Sequence, residues 1–215
     1  MRSSLFSLVV FGTMFGAGCG TPAVPSVDMP SAEERVARWD AWRTAKDSLF
    51  RTPVSPLLPT QRAAFEGLDY FAYDSTLAFG LTLDPALDRT VLRLATSTGE
   101  PRDYIRFGTL TFTLDGQRHR LTVFQPTGDG PASAQDLDLF VPFADATNGR
   151  STYAAGRYLD FKPTADGRYV LDFNYAYNPY CVYNSQYSCP LPPPENRLTA
   201  TIPAGERTGG LWNGS

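Results

Sequence analysis

Apolar positions repeat with two different periods along this chain, and the period changes near residue 67. Upstream, Val36, Trp39, Trp42 or Arg43, Lys46 and Phe50 recur at three- and four-residue spacing, and Ser31 with Glu34 forms a capping-box pair. The pattern predicts one amphipathic helix over about 32–49, stopped before Pro53 and Pro56, then a short helical turn over about 60–66 closed by Gly67. Downstream the period is two. Residues 68–73, 76–83 and 91–95 read as strands separated by Asp, Pro and Gly. Leu110, Phe112 and Leu114 alternate with threonines up to Asp115-Gly116, and Leu121 and Val123 return beyond it, so this stretch predicts a hairpin with His119 close to its turn. Residues 139–143 add a strand, 156–162 and 168–173 read as a second hairpin around Asp166-Gly167, and 197–202 closes the set. About nine or ten short strands after one helix imply a mainly β fold, an antiparallel sandwich or partly open barrel.

In the second hairpin, a register pairing Lys162 with Arg168 puts Leu159, Phe161, Tyr169, Leu171 and Phe173 on the inner face. Tyr158, Asp160, Asp172 and Asn174 then share the other face. Two carboxylates and an amide so placed suit an ion or polar ligand, but an ordinary solvated sheet face shows the same alternation.

The first eighteen residues change the picture of where the protein works. Arg2 precedes an apolar run from Leu5 to Phe15, then Gly16, Ala17 and Gly18 lead to Cys19. This is the layout of a secretory signal peptide, too short to remain as a membrane-spanning helix. A cysteine directly after small residues resembles the bacterial lipoprotein signal, in which it is acylated (palmitate-type) and becomes the mature N-terminus. The expected organisation is signal peptide over 1–18, lipidated tether over 19–30 with Pro22, Pro25 and Pro30, and a single globular domain over 31–215. The expected location is the bacterial cell envelope, held to the membrane through the lipid, facing periplasm or cell surface.

Charge and histidine count then narrow the chemistry. The formal charge is -3, or -4 once Arg2 is removed, so no basic footprint exists for nucleic acid. With one histidine, His119, sites built on several imidazoles are excluded, and no cofactor or metal is implied.

The segment NYAYNPYCVYNSQYSCPLPPPENR, residues 174–197, holds five of the eleven tyrosines, two of the three cysteines and five of the eighteen prolines. A long connection of this kind is a functional lid or disorder, and its tyrosines argue against disorder. Cys181 and Cys189 are expected as a structural disulfide, worth about 2.5 kcal/mol by loop entropy, or as two buried thiols. Two thiols without further thiolate or imidazole ligands do not make a zinc site.

The run LFVPFADATNGRSTYAAGRYLDF, the run DGRYVLDFNYAYNPYCVYNSQYSCPLPPPENRL and the later IPAGE resemble the uncharacterised bacterial family called domain of unknown function 1684. The resemblance extends upstream through Lys46, Asp47 and Phe50, Ser55-Pro56-Leu57 and Phe65 to Leu68. It implies a compact domain and no assigned reaction.

Two functional readings of different class follow. In one, the tyrosine- and proline-rich lid, with Arg157, Asn174, Asn178, Glu195 and Asn196, binds a small polar ligand or a glycan. The bland counterpart has the asparagines capping turns and Glu195 pairing with Arg157. In the other, a hydrolase uses a carboxylate pair drawn from Asp160, Asp172, Glu195 and Glu206. A purely structural envelope protein is the third expectation, with an apolar patch and no pocket.

Overall fold

The computed structural model describes residues 27–127, 138–162 and 164–209. The signal region and Cys19 lie outside the described residues. Helix α1 spans Ala32–Phe50, and its N-terminus is capped by the Ser31 hydroxyl, which accepts the Glu34 N–H. Trp39 and Phe50 are buried, whereas Val36 is exposed, so the buried stripe starts one turn later than the apolar spacing suggests. Helix α2, Pro59–Ala63, is a single turn with proline at its start. Residues 27–30 lie against the sheet: a Cβ on Gly80 would come within 2.9 Å of the Val27 carbonyl oxygen.

Among the described residues eight strands follow: β1 Ala78–Thr82, β2 Asp84–Pro85, β3 Val91–Leu94, β4 Arg102–Leu114, β5 Gln117–Pro126, β6 Leu139–Phe143, β7 Arg157–Phe161 and β8 Arg168–Asp172. The larger sheet runs β2-β4-β5-β6-β7 with β3 also on β4, and β1 pairs with β8 as a second layer. Every pairing between these strands is antiparallel. The fold is therefore mainly β with few helices, two packed antiparallel layers and no closed barrel.

The main core lies between the layers, where Leu110, Phe112, Leu121, Val123, Val141, Phe143, Leu159, Leu171 and Phe173 pack together. A second core forms on the opposite face of the large sheet from Leu94, Tyr104, Phe124, Phe140, Tyr158 and Cys189. On β6 and β7 these two sets alternate, as a strand buried on both faces must. On β4 they do not: Tyr104, Leu110 and Phe112 have the same parity yet face opposite sides. The register with β5 shifts between Arg106 and Gly108, and that one-residue bulge turns Tyr104 to the second face.

Three sequence expectations are corrected. The 156–162 and 168–173 strands do not pair as a hairpin: β7 pairs with β6, from Leu139↔Phe161 to Phe143↔Arg157, and β8 pairs with β1, from Ala78↔Asp172 to Thr82↔Arg168. The Asp166-Gly167 turn is there, with Gly167 at φ 66°, but it carries the chain from one layer to the other. Alternation identifies the face a strand buries and is silent about its partner. Residues 68–73 and 197–202 form no strands, touching the rest through the single bridges Tyr70↔Glu206 and Ala144↔Arg197. Their backbone groups are satisfied individually, as in Phe71 N–H to Gly205 O at 3.0 Å and Leu198 N–H to Ala144 O at 2.7 Å. The β4–β5 hairpin forms as read, with Asp115 at φ 50° and Gly116 at φ 74°, and His119 opposite Phe112 beside the turn.

Two buried charges stitch the C-terminal run to the sheets. Arg157, fully buried, donates to Asp145 Oδ2 at 2.8 Å and to the carbonyl of Ile202 at 3.0 Å, and also to that of Ala204. Arg157→Met would leave Asp145 buried without its counter-charge. The expected outcome is a loss of about 3–5 kcal/mol, read as a lower urea midpoint with an unchanged slope.

Candidate functional site

Glu206 organises the region below helix α1. Its side chain is 1 % exposed, and its carboxylate accepts from four donors. Lys46 Nζ of α1 and the Tyr70 hydroxyl, at 3.3 Å, reach Oε1. The Asn178 N–H, at 2.7 Å, and the Tyr183 hydroxyl, at 3.1 Å, reach Oε2. Burial, then the neighbouring carboxylate, pushes both phenols up, so they stay protonated donors. The preceding Gly205 is required: it sits at φ 75°, and a Cβ there would run into Ala176. One carboxylate thus holds the helix, the 68–73 segment and the tyrosine-rich segment in fixed relation.

Between those elements lies a cleft of about 630 Å³. Trp42, Lys46 and Leu49 of α1 form one wall, Tyr177, Tyr180 and Tyr187 another, and Arg102, Tyr104, Phe140, Tyr158 and Asp160 of the sheet the floor. The floor rings are mutually packed, with Tyr104 stacked on Phe140 at 5.5 Å and Phe140 edge-on to Tyr158 at 4.7 Å. Tyr158 is anchored by its hydroxyl to the Pro190 carbonyl at 2.5 Å. Tyr180 and Tyr187 meet edge-to-face at 5.3 Å, and Tyr187 keeps 37 % of its surface open at the rim.

Polar groups are few and placed. The Tyr177 hydroxyl donates to Asp160 Oδ2 at 2.6 Å, and Lys46 Nζ stands 4.5 Å above the Tyr177 ring and 5.2 Å from that of Trp42. The Asp160 side chain opens to solvent through the cleft, yet the protein packed around its carboxyl raises its pKa by desolvation. Asp160 and Asp172 also line a second hollow of about 310 Å³ that shares Trp42 and Tyr177 with the cleft. Asp172, however, is committed to Asn174 and to the Tyr73 hydroxyl at 2.8 Å. Glu206 is enclosed by its four donors, and Glu195 is an exposed partner of Arg106 at 3.2 Å. Among the four carboxylates read as hydrolytic candidates, Asp160 alone lines the cleft.

The five residues expected to bind a ligand do not come together. Arg157 is consumed by Asp145 and backbone carbonyls. Asn174 bonds Asp74 N–H and carbonyl, each at 2.8 Å, and Asn178 Nδ2 donates to the Arg207 carbonyl at 3.0 Å. Asn196 joins Thr122 to the Pro142 carbonyl. Glu195 meets Arg106 rather than Arg157. None of the five lines the cleft. Three of the five lid tyrosines, Tyr177, Tyr180 and Tyr187, do line it, and the helical spacing of Trp42, Lys46 and Leu49 puts the opposing side chains on one face of α1. Among the described residues no three His, Cys, Asp or Glu side chains gather as a metal site, and no helix is long and apolar enough to cross a membrane.

Cys189 is part of the cleft wall and Cys181 packs behind it, both as free thiols rather than a disulfide. The Cys181 N–H donates to Cys189 Sγ at 3.1 Å. Hydrogen bonds from the Cys189 thiol, Ser97 and Tyr153 pull the Cys181 thiol down to about 7 against its burial, while giving its proton to that bond and burial push Cys189 up.

These features define a class: a mainly β, two-layer antiparallel domain whose helix and tyrosine-rich segment enclose an aromatic cleft. The chain belongs to the family of proteins of unknown function DUF1684, which it matches over residues 63–207. The helix wall of the cleft, Trp42, Ala45, Lys46 and Leu49, lies upstream of that stretch, and the rest of the cleft lies within it. The chain is similar to an uncharacterised protein of Haloarcula marismortui solved by solution NMR, with 37 % identity and a TM-score of 0.64 over 82 % of this chain and 95 % of that one. A comparison with curated proteins finds no match.

The thiol arrangement predicts selective alkylation. Cys181 should react with iodoacetamide at a rate that climbs with pH through about 7 and then levels, because only its thiolate attacks, while Cys189 reacts far more slowly. Peptide mass analysis after timed labelling checks this, and equal rates for the two would contradict it.

Proposed function

We propose that this protein is a lipid-anchored binding module of the cell envelope whose cleft takes a small polar ligand, a sugar or glycan. The observation that carries the reading is the cleft itself. It combines stacked aromatic surfaces with a small set of fixed polar groups, Lys46, Arg102 and Asp160, in a hollow of small-ligand size at about 630 Å³. The C–H faces of a sugar ring pack on tyrosine and tryptophan, while its hydroxyls need acceptors such as the Asp160 carboxyl. The anchor rests on the N-terminal pattern, Arg2, the apolar run and Cys19. A binding role suits this cleft better than hydrolysis, since among the described residues no second carboxylate lines it to share acid and base work with Asp160.

Titration of the full chain with a panel of neutral and acidic mono- and disaccharides, followed by tryptophan and tyrosine emission, tests the reading. A saturable change is expected for at least one sugar. Tyr187→Ala, at the exposed rim, should weaken that binding about three- to tenfold by removing one stacking face. Flat titrations across the panel would overturn the proposal, and mass spectrometry of the membrane-extracted protein, lacking residues 1–18 and acylated at Cys19, checks the anchor.

A further inference from the structure

Three charged side chains line the cleft, and they are not equivalent. Lys46 is already neutralised by the buried Glu206 carboxylate and lies flat over two rings. Asp160 already accepts the Tyr177 hydroxyl. Arg102, at the start of β4, is exposed and has no carboxylate partner among the described residues. Its guanidinium stands beside the Tyr104 hydroxyl, whose ionisation it favours against the burial of that ring. The neighbouring Asp103 is turned away to Arg93 at 3.3 Å. On a strand, 102 and 104 point to one face and 103 to the other, so this division is built into the backbone.

We infer that the ligand of the cleft is a sugar carrying an anionic group, carboxylate or phosphate, received by Arg102 while the ring lies between the aromatic walls. The inference rests on the proposed binding role and adds the charge of the ligand. A planar guanidinium offers paired N–H donors that match the two oxygens of a carboxylate or phosphate, and a neutral sugar leaves that fork to water. Asp160 sits on β7, across the floor, where it accepts from ring hydroxyls. Among the described residues the lining supplies no carboxylate besides Asp160 to repel the anion.

Titrations of the full chain with glucose, glucuronate and glucose 6-phosphate, before and after Arg102→Met, decide the matter. At least one anionic sugar should bind about tenfold or more tightly than glucose, the scale of a charge-assisted fork, and added salt should erode the advantage. Arg102→Met should bring the anionic sugars to the level at which the same variant binds glucose, so the ratio of anionic to neutral affinity within each protein is the readout, and Arg102→Lys, which keeps the charge without the fork, should retain part of the preference. Whichever anion gains more identifies carboxylate or phosphate. Equal binding of all three sugars, or an anionic preference that survives Arg102→Met, overturns this inference and leaves the binding role standing. Binding of none of these sugars, nor of the wider saccharide panel, overturns both.

Discussion

A carboxylate taken out of water must be met by donors on every side, and Glu206 is met by four from three separate stretches of chain. Desolvating an ion costs several kcal/mol, so a geometry that loses any of these partners is strongly disfavoured. The consequence is positional. Helix α1 docks through the buried Trp39 and Phe50, and Lys46 reaching Glu206 fixes its rotation over the sheet. The same contact places Trp42 against Tyr70 and Tyr175, at 6.0 and 5.0 Å, so the aromatic wall and the ion pair are set together. The tyrosine-rich segment is held by isolated bridges, Tyr177 to Tyr158 and Pro190 to Thr96, and by the Asn178 N–H and Tyr183 hydroxyl bonds to the same carboxylate.

The second buried charge anchors the anchor. Arg157 grips the backbone at 202, 204 and 206, so the run that presents Glu206 is itself tied to β7 and, through Asp145, to the loop after β6. Asp145 in turn accepts from Thr147 and from the Ile202 N–H at 3.2 Å. Two glycines make room at these stitches. A Cβ on Gly156, at φ 103°, would come within 2.6 Å of the Phe143 carbonyl, and Gly205 has the clash with Ala176 already described. Each glycine directly precedes the charged residue it serves. Exchanging such buried pairs for apolar side chains is often neutral for stability, so the arrangement is best understood as specifying where the helix and the 174–197 segment sit.

This division explains what was legible in the amino-acid sequence. Local signals carried α1, with its serine cap, and the β4–β5 hairpin, whose Asp-Gly turn and alternation agree. The supposed β7–β8 hairpin had equally good local signals, and failed because Leu159 and Leu171 face one shared core from opposite layers; a period of two is satisfied by either arrangement. Residues 68–73 and 197–202 alternate like strands but lie where side chains and isolated carbonyls, not a neighbouring ladder, satisfy their backbone. The polar residues singled out in the 174–197 segment and at Arg157 stood out for a sound reason. Asn, Glu and Arg are the side chains that hold ligands, and they are equally the side chains that satisfy buried backbone. Burial alone separates the two uses, and burial is not visible before the fold is. Asp160, read as half of an outward-facing pair and as one of four candidate hydrolytic carboxylates, and Arg102, not noted at all, reach the cleft from strands far apart in sequence.

The cleft persists in a densely packed molecule because its two sides are held by different forces at fixed separation. The floor is set by the β4 bulge, which turns Tyr104 onto the second face to stack on Phe140, and by Tyr158 bonded to Pro190. The roof is set by the Glu206 network, which fixes Lys46 and the tyrosine-rich segment above it. Neither side can relax onto the other without breaking buried hydrogen bonds, which cost about 1–3 kcal/mol each when left unmade. A gap lined by rings would otherwise close under the hydrophobic effect. The burial of one carboxylate is thus what keeps an aromatic cleft open, and Arg102 and the rim face of Tyr187 are the parts of its lining that stay open to solvent.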